Sequence, residues 1–242
     1  MANQEQLKLI KGGVDVWNAW RKVNLSIRID LSGGNFSKLE LSCIDLAGAN
    51  LQDVNFNHAN LSGAMLSGAN LTESSLLEAN LTGAHLENAN VSDADLLRVI
   101  LVRANLELAH LAKTDLTGAD LTKANLREAN LHLANLQGAK LIEANLEGCK
   151  LREANLGQAD LAGANLSSAD LAQANLKQAN LQGANVEKAS LIQVDLQEAN
   201  LHALNNMTLL QLSKARFLRQ ARLDPPIYEQ LVREYPHVCD QD

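Results

Sequence analysis

The sequence predicts an all-β repeat fold in which the chain turns a corner every five residues, with helical segments at both ends. Leucine recurs at this interval, as in ANLREANLHLANLQGAK (residues 124–140), where it stands at 126, 131 and 136. A spacing of five fits neither a straight helix nor a straight strand. Aromatic residues make up only 3% of the chain although 46% of it is hydrophobic, so the core must be built from aliphatic side chains.

The repeat keeps one register from residue 29 to residue 203. Stepping by five from Leu31 to Leu201 gives 35 centres, all of them apolar; Ala stands two places before the centre in 25 of them, and Asn or Asp stands directly before it in 26. Residues two apart in extended chain point to the same side, so the centre and the usual Ala form the interior while the Asn or Asp points outward. The next two residues form the corner, and ten glycines occupy its second position, where a positive φ is expected.

The segments ANLREANLHLANL, ANLQGA and ADLAGANLSSADLAQANL resemble the pentapeptide repeat proteins, whose pattern is A(D/N)LXX. The resemblance covers residues 29–203. It implies a right-handed quadrilateral parallel β-helix in which four repeats form one coil, so that 35 repeats give nearly nine coils. The leader VDVWNAWR is also similar to leaders of family members from photosynthetic bacteria.

Both ends are expected to cap the β-helix, because an open end would expose core and strand edges. Residues 1–28 are assigned as an N-terminal helical cap, in which Leu7, Ile10, Val14 and Trp17 have helical spacing and Gly12 and Gly13 weaken the middle.

Residues 204–242 are assigned as a C-terminal helical cap. Thr208 to Gln211 has the pattern of a capping box, which predicts a helix from about Leu209 to Ala221. Its apolar stripe would contain Leu210, Phe217 and Ala221, and its basic stripe Arg216, Arg219 and Arg222. The arginines are compatible with nucleic acid, a membrane, the protein's own acidic coils or plain solvation. The two prolines at 225 and 226 end this segment and start a short helix through Glu234.

Some inward positions depart from the pattern on one face, since residues 20 apart stack. Val54, Ser74, Thr114 and Val194 replace Ala there. Phe36 and Phe56 stack on the same face, and Gly34 makes room beside Phe36. We expect the hydroxyls of Ser74 and Thr114 to bond to the backbone rather than to serve a site.

Two outward features are candidate interaction sites. An apolar patch contains Leu77, Leu97, Ile100, Val102 and Leu108, and the alternatives are a contact surface, packing under a terminal segment, or simple tolerance. An acidic column contains Asp53, Glu73 and Asp93, each one coil apart; it would bind a cation or a basic partner, or be only a solvated face.

The sequence gives no sign of an enzyme. The six histidines have no metal-ligand spacing, the three cysteines are scattered, and no phosphate-binding or nucleophile motif occurs. We therefore predict no catalytic, cofactor or metal site. We expect a cytoplasmic protein without a membrane partner, because neither a signal peptide nor a membrane-spanning run is evident.

The expected function is a non-enzymatic, protein-binding rod of unknown partner, with a homodimer possible through a terminal helix or the apolar patch. The alternative is a DNA mimic that binds a type II topoisomerase such as DNA gyrase, as some members of the resembled family do. Residues 29–203 carry 21 acidic and 11 basic residues, but cations interrupt every face. We expect no direct binding of nucleic acid.

Overall fold

The computed structural model describes residues 3–236, and the predictions that involve His237 and Cys239 lie outside this range. Within it, two helices precede a long coil, α1 (Gln4–Lys11) and α2 (Val14–Val23). Two more helices lie in the C-terminal segment that follows the repeats. They are α3 (Leu209–Leu212) and α4 (Pro225–Glu234).

The repeats form a quadrilateral parallel β-helix, which we call the coil as a whole. Each of its strands consists of a single bridged residue. Each outward residue pairs in parallel with the residue 20 positions later, so four repeats form one coil. We number the four faces by their first outward residue: face 1 begins at Asp30, face 2 at Asn35, face 3 at Glu40 and face 4 at Asp45. On face 1, the Leu31 N–H donates to Asn50 O and the Asn50 N–H donates to Ile29 O, both at 2.9 Å.

The interior is filled by the two inward positions of every repeat. The central leucines and the preceding alanines are buried along the whole coil. Phe36 and Phe56 stack inside face 2 with ring centroids 5.5 Å apart. A Cβ at Gly34 would lie only 2.6 Å from the Phe36 ring, so this glycine makes room for the ring as expected.

Each corner is a tight turn closed by the backbone, as between Ala49 N–H and Leu46 O at 3.1 Å. The second corner residue has a φ between about +53° and +68° in every repeat, including the many repeats without glycine there. Positive φ at this one position is the signature of a type II turn. The glycine prediction was therefore correct, and the geometry extends to residues such as Leu133.

The N-terminal helices satisfy the exposed edge of the first coil with side-chain amides. Gln6 donates to Arg28 O (3.0 Å) and accepts from Asp30 N–H (2.8 Å), so its amide provides partners for two backbone groups at this edge. Asn18 makes the same pair of bonds on face 4, to Cys43 O and from the N–H of Asp45. Ile10 and Trp17 are buried over the core.

The glycine pair separates two helices rather than weakening one. Gly13 has a φ of +103°, a left-handed conformation that a helix cannot contain. The chain can thus place α1 over face 1 and α2 over face 4, where Gln6 and Asn18 make their bonds.

At the C-terminal end, the capping box of Thr208 and Gln211 and the helix Pro225–Glu234 are as predicted. The predicted helix from Leu209 to Ala221 is wrong beyond Leu212. After α3 the chain rejoins the coil: Phe217 bridges Asp195 and Arg222 bridges Asn200, at an offset of 22 because α3 adds two residues.

The physical reason is the edge of the last coil, whose N–H groups require acceptors. Leu196 N–H donates to Phe217 O at 2.9 Å and Leu201 N–H donates to Arg222 O at 2.8 Å. The proposed apolar stripe does not form either, because Leu210 is exposed and the buried side chains are Leu212, Ala215 and Leu218. Helix α4 then packs against this turn through Leu231, which is fully buried.

Candidate functional site

The outward residues of the coil form hydrogen-bonded ladders of side chains. On face 4, the Asn125 Nδ2 donates to Asn105 Oδ1 (2.8 Å), and the ladder continues through Asn145, Asn165 and Asn185 at 3.1–3.2 Å. Each Oδ1 commonly also accepts the backbone N–H two residues later, as Asn165 does from Ser167 at 3.2 Å. Outward Asn therefore stabilises both the stack and the corner.

The candidate apolar patch interrupts this arrangement on face 3. Ile100 lies between Asn80 and Asp120 in the stack and is 40% exposed. Leu97, at the corner between faces 2 and 3, is half-buried and stacks against Leu77. Val102, at the corner between faces 3 and 4, is also half-buried. These four side chains surround one stretch of face 3.

Leu108 does not join the other four. It occupies the corner between faces 4 and 1, where it has a φ of +60° and is exposed. The width of face 4 separates it from Val102. The described terminal segments lie at the two ends of the coil, and neither covers Ile100.

The candidate acidic column follows the corner between faces 1 and 2. Asp53, Glu73 and Asp93 are all exposed at the positive-φ position, and none has an ion-pair partner among residues 3–236. Lys113 ends the column in the next coil. In the described part of the chain, no three or more His, Cys, Asp and Glu side chains are placed to hold a metal ion. A cation, a basic partner and a solvated face therefore all stay predictions for this column.

Some charges elsewhere on the coil pair with an opposite charge 20 residues away, along the stack. Arg127 contacts Glu107 at 2.8 Å and Glu128 at 2.6 Å, and the hydrogen bond that it donates to Glu107 is the main reason that the pKa of Arg127 is raised. Arg98 reaches Glu78 at 3.5 Å. This is the ladder pairing that alternating charges predict.

The buried hydroxyl and thiol groups of the coil have partners in the backbone. Ser74 Oγ donates to Leu71 O at 2.6 Å and Thr114 donates to Leu111 O, which confirms the expectation of backbone bonding. Burial raises the pKa of the Cys149 thiol to about 12, and its Sγ lies 2.8 Å from Leu126 O. A thiol so protected from ionisation is a poor nucleophile.

A cluster of polar side chains surrounds Glu87 at the corner between faces 4 and 1. Its carboxylate accepts from Ser67 Oγ at 2.5 Å and from Asn105 Nδ2 at 2.6 Å. Partial burial raises the pKa of Glu87, but these bonds and the contact with His85 outweigh that effect and hold it below its ordinary value. Because its pKa is lowered, the Glu87 carboxylate is a weak base toward the Ser67 hydroxyl, and the bond is best explained as structural.

The family model described as pentapeptide repeats matches the chain eight times between residues 29 and 203. The matched ranges are 29–68, 40–76, 64–101, 74–112, 100–141, 129–167, 139–178 and 169–203. The chain belongs to the pentapeptide repeat family. The coil is accordingly the right-handed quadrilateral β-helix of that family.

Solved structures include several pentapeptide repeat proteins similar to this one. HetL from the cyanobacterium Nostoc sp. strain PCC 7120 is 37% identical over 72% of this chain and 78% of HetL, with a TM-score of 0.50. Rfr23 from the cyanobacterium Cyanothece 51142 is 40% identical over 39% of this chain and 62% of its own, with a TM-score of 0.36.

QnrB1, a plasmid-mediated fluoroquinolone resistance protein, is 17% identical over 89% of this chain and 98% of its own, with a TM-score of 0.48. A search of the curated proteins gave no match. The family match and the likeness to the cyanobacterial HetL confirm the resemblance seen in the repeats. Within residues 3–236, no helix has the length and apolar character needed to cross a bilayer.

Sequence reasoning missed two features of the N-terminal end. The first is the bonding of the Gln6 and Asn18 side-chain amides to the backbone of the first coil. No sequence pattern predicts these bonds, because both residue types are common on helix surfaces. The exposed apolar residues Val23, Leu25 and Ile27 were also overlooked. The only available signal was that residues 24–28 fit neither the helical spacing nor the five-residue register.

Proposed function

We propose that the protein is a non-enzymatic binding rod that holds a protein partner against face 3 through Leu77, Leu97, Ile100 and Val102. The observation that carries this proposal is Ile100, an exposed apolar side chain in a column of hydrogen-bonding residues. Apolar centres with charged rims are typical of protein interfaces, and Arg98 and Arg103 lie exposed at the two corners beside Ile100.

The likeness to HetL supports a regulatory setting for such binding. HetL is described as involved in the regulation of heterocyst differentiation, and it is 37% identical to this chain. Pentapeptide repeat proteins generally act as structural or interaction proteins. A rod with one apolar patch suits that role, because a repeat surface presents side chains at fixed spacing.

The test is the triple change Leu97→Ser, Ile100→Asn and Val102→Ser, which restores the polar chemistry of these positions. A photo-crosslinking residue at position 103, which is exposed beside Ile100 and unchanged in the triple variant, should capture a defined partner in cells of the source organism, and the triple change should lower its recovery at least tenfold. The stability of the coil should hardly change, because none of the three side chains points inward.

A matched control changes outward apolar residues away from face 3, Met65→Asn and Ile192→Ser. Both are at least as exposed as Ile100. Partner recovery that the triple variant leaves unaltered, or that the control lowers equally, would show that face 3 is not the binding surface. The same crosslinker should also show whether the partner is a second copy of the chain.

The DNA-mimic alternative calls for a uniformly acidic surface. Lys123 pairs with Glu143 at 3.3 Å, and Lys140 lies 3.9 Å from Asp120, so cations neutralise part of the acidic surface. We therefore expect no inhibition of DNA gyrase in a supercoiling assay. Inhibition there would replace the proposed function with the mimic.

A further inference from the structure

The N-terminal end of the rod carries a cluster of exposed and partly exposed apolar side chains. We call Val16, Trp20, Val23, Leu25 and Ile27 the N-terminal tip. Val23 is 82% exposed and Leu25 is 72% exposed, far more than Ile100 on the coil. Large exposed apolar groups at one place indicate a surface that is covered in use.

The tip is formed by one flank of α2 and the segment that follows. Val16, Trp20 and Val23 have the i, i+4, i+7 spacing of a single helix face. The other flank of α2 is already engaged, because Trp17 Nε1 donates to Asp45 O at 2.7 Å and Arg21 donates to Ala47 O at 3.1 Å. The tip is therefore held rigidly on the coil with its apolar side free.

A depression of about 280 Å³ opens beside the tip. Its apolar lining is Leu9, Trp20 and Ile27, and its polar lining comes from Asn3, Glu5 and Gln6. Trp20 lies partly exposed at this depression, with its ring 5.3 Å from that of the buried Trp17. A partly exposed Trp beside apolar groups suits an interface between an apolar layer and water, because its ring is apolar and its N–H is polar.

Basic side chains outnumber acidic ones at the N-terminal end, where Glu5 lines the depression and Asp15 is also exposed. Lys8, Lys11, Lys22 and Arg28 are all exposed, and within residues 3–236 none takes part in an ion pair. Residues 3–28 contain five basic and two acidic side chains, whereas residues 29–203 contain 11 basic and 21 acidic ones. The rod is thus positive at its N-terminal end and negative along its coil.

We propose that the N-terminal tip docks on an anionic lipid surface, with Val23, Leu25 and Ile27 entering the interface and the four cations facing the headgroups. Stable attachment to a membrane surface needs two signals, and an apolar insertion with a polybasic patch supplies both. The acidic coil is repelled from the same surface, so the rod stands away from it with face 3 accessible. This inference replaces the expectation of no membrane partner.

A second copy of the chain fits the tip less well. Joining two N-terminal ends would bring two sets of like charges together, with the four unpaired cations on each side. The C-terminal end is no better partner, since residues 204–236 hold five basic and three acidic side chains. Charge complementarity therefore favours an anionic surface.

The experiment measures binding of the full chain to vesicles of phosphatidylcholine with and without 30% phosphatidylserine. Both tryptophans lie at this end, so docking should shift Trp emission to shorter wavelength as well as sediment the protein with anionic vesicles. Binding should weaken strongly as salt is raised, because the cations act within a Debye length. Equal binding to both kinds of vesicle, or to neither, overturns the proposal.

Two pairs of variants separate the two contributions. Val23→Ser with Leu25→Ser should abolish the emission shift, and Lys8→Gln with Lys22→Gln should weaken partitioning by roughly 30-fold, at the usual contribution of a surface cation. The control pairs on the coil, Met65→Ser with Ile192→Ser and Lys113→Gln with Lys177→Gln, should have no such effect.

A second copy on the tip has its own signature. Sedimentation analysis would then show a dimer that the Val23→Ser, Leu25→Ser variant dissociates, without any binding to vesicles. That result contradicts the proposal and assigns the tip to self-association. Loss of vesicle binding in the coil controls would contradict it as well.

Discussion

The bonds of Gln6 give a sharp prediction about how the rod is capped. Gln6 is almost completely buried, and its amide makes one bond to Arg28 O and one from Asp30 N–H at the edge of the first coil. Gln6→Ala removes both and leaves two backbone groups without partners. At about 1 kcal/mol per hydrogen bond, the loss is roughly 2 kcal/mol. For a chain of this size that lowers the melting temperature by about 4–8 °C.

Gln6→Glu tests the same reasoning with almost no change in shape. A carboxylate can still accept from Asp30 N–H, but its second oxygen would face Arg28 O, which now lies 3.0 Å from the amide nitrogen. Two acceptors at that distance repel, so Gln6→Glu should destabilise the protein at neutral pH by at least as much as Gln6→Ala.

The matched control is Gln4→Ala, at an exposed position of the same helix. Thermal unfolding followed by circular dichroism should show almost no change for it. The reasoning fails if Gln6→Ala melts together with Gln4→Ala, because the edge of the first coil would then be satisfied equally well by water.

Three further predictions concern the coil. Leu126→Ala should cost about 2–5 kcal/mol in chemical unfolding because the narrow interior cannot close the void, and Ala134→Leu should be worse than Ala134→Ser because it overpacks a layer; a neutral Ala134→Leu would contradict the inward position. Leu133→Gly should stabilise by roughly 0.5–1 kcal/mol in thermal melts, since it relieves a left-handed residue at φ +59°, while Gly138→Ala should destabilise although its Cβ would meet nothing within 4 Å. Hydrogen bonds hold the folded pKa of Glu87 below its ordinary value, so its carboxylate stabilises the fold above about pH 4.3, the unfolded value, and this stabilisation is lost as pH falls through the folded pKa. The difference in stability between wild type and Glu87→Ala should therefore become smaller in melts at acidic pH. A difference that does not depend on pH would refute this prediction.

The coil was predictable because every repeat has the same local sequence pattern and folds in the same way. Two inward positions, one outward position and a corner that tolerates positive φ repeat without insertion, so local pattern and global fold agree. The number of repeats in one coil was not contained in the period itself. It came from the family pattern, and the pairing of Asp30 with Asn50 gives the same answer.

The C-terminal error shows where such reasoning stops. Residues 213–223 have tolerable helical spacing, and the capping box at Thr208 starts a helix correctly. Yet the last coil leaves N–H groups of Leu196 and Leu201 that need acceptors, and Phe217 and Arg222 supply them. An extended segment that completes a neighbouring edge gains bonds that no local helical pattern reveals.

The candidate surfaces were predictable only where the register assigns a direction to each side chain. On the coil an outward Asn gains a bond to the coil beside it, as Asn155 does with Asn135 at 2.9 Å. Ile100 makes none of these bonds and adds nothing to the interior, which is why we propose a contact with a partner there. The N-terminal tip lies outside the register, and the exposure of Leu25 follows from the path of the chain around Arg21, whose Nη1 lies 3.4 Å from Leu25 O. Such a path is set by tertiary contacts, which is why the structure was needed to find the tip.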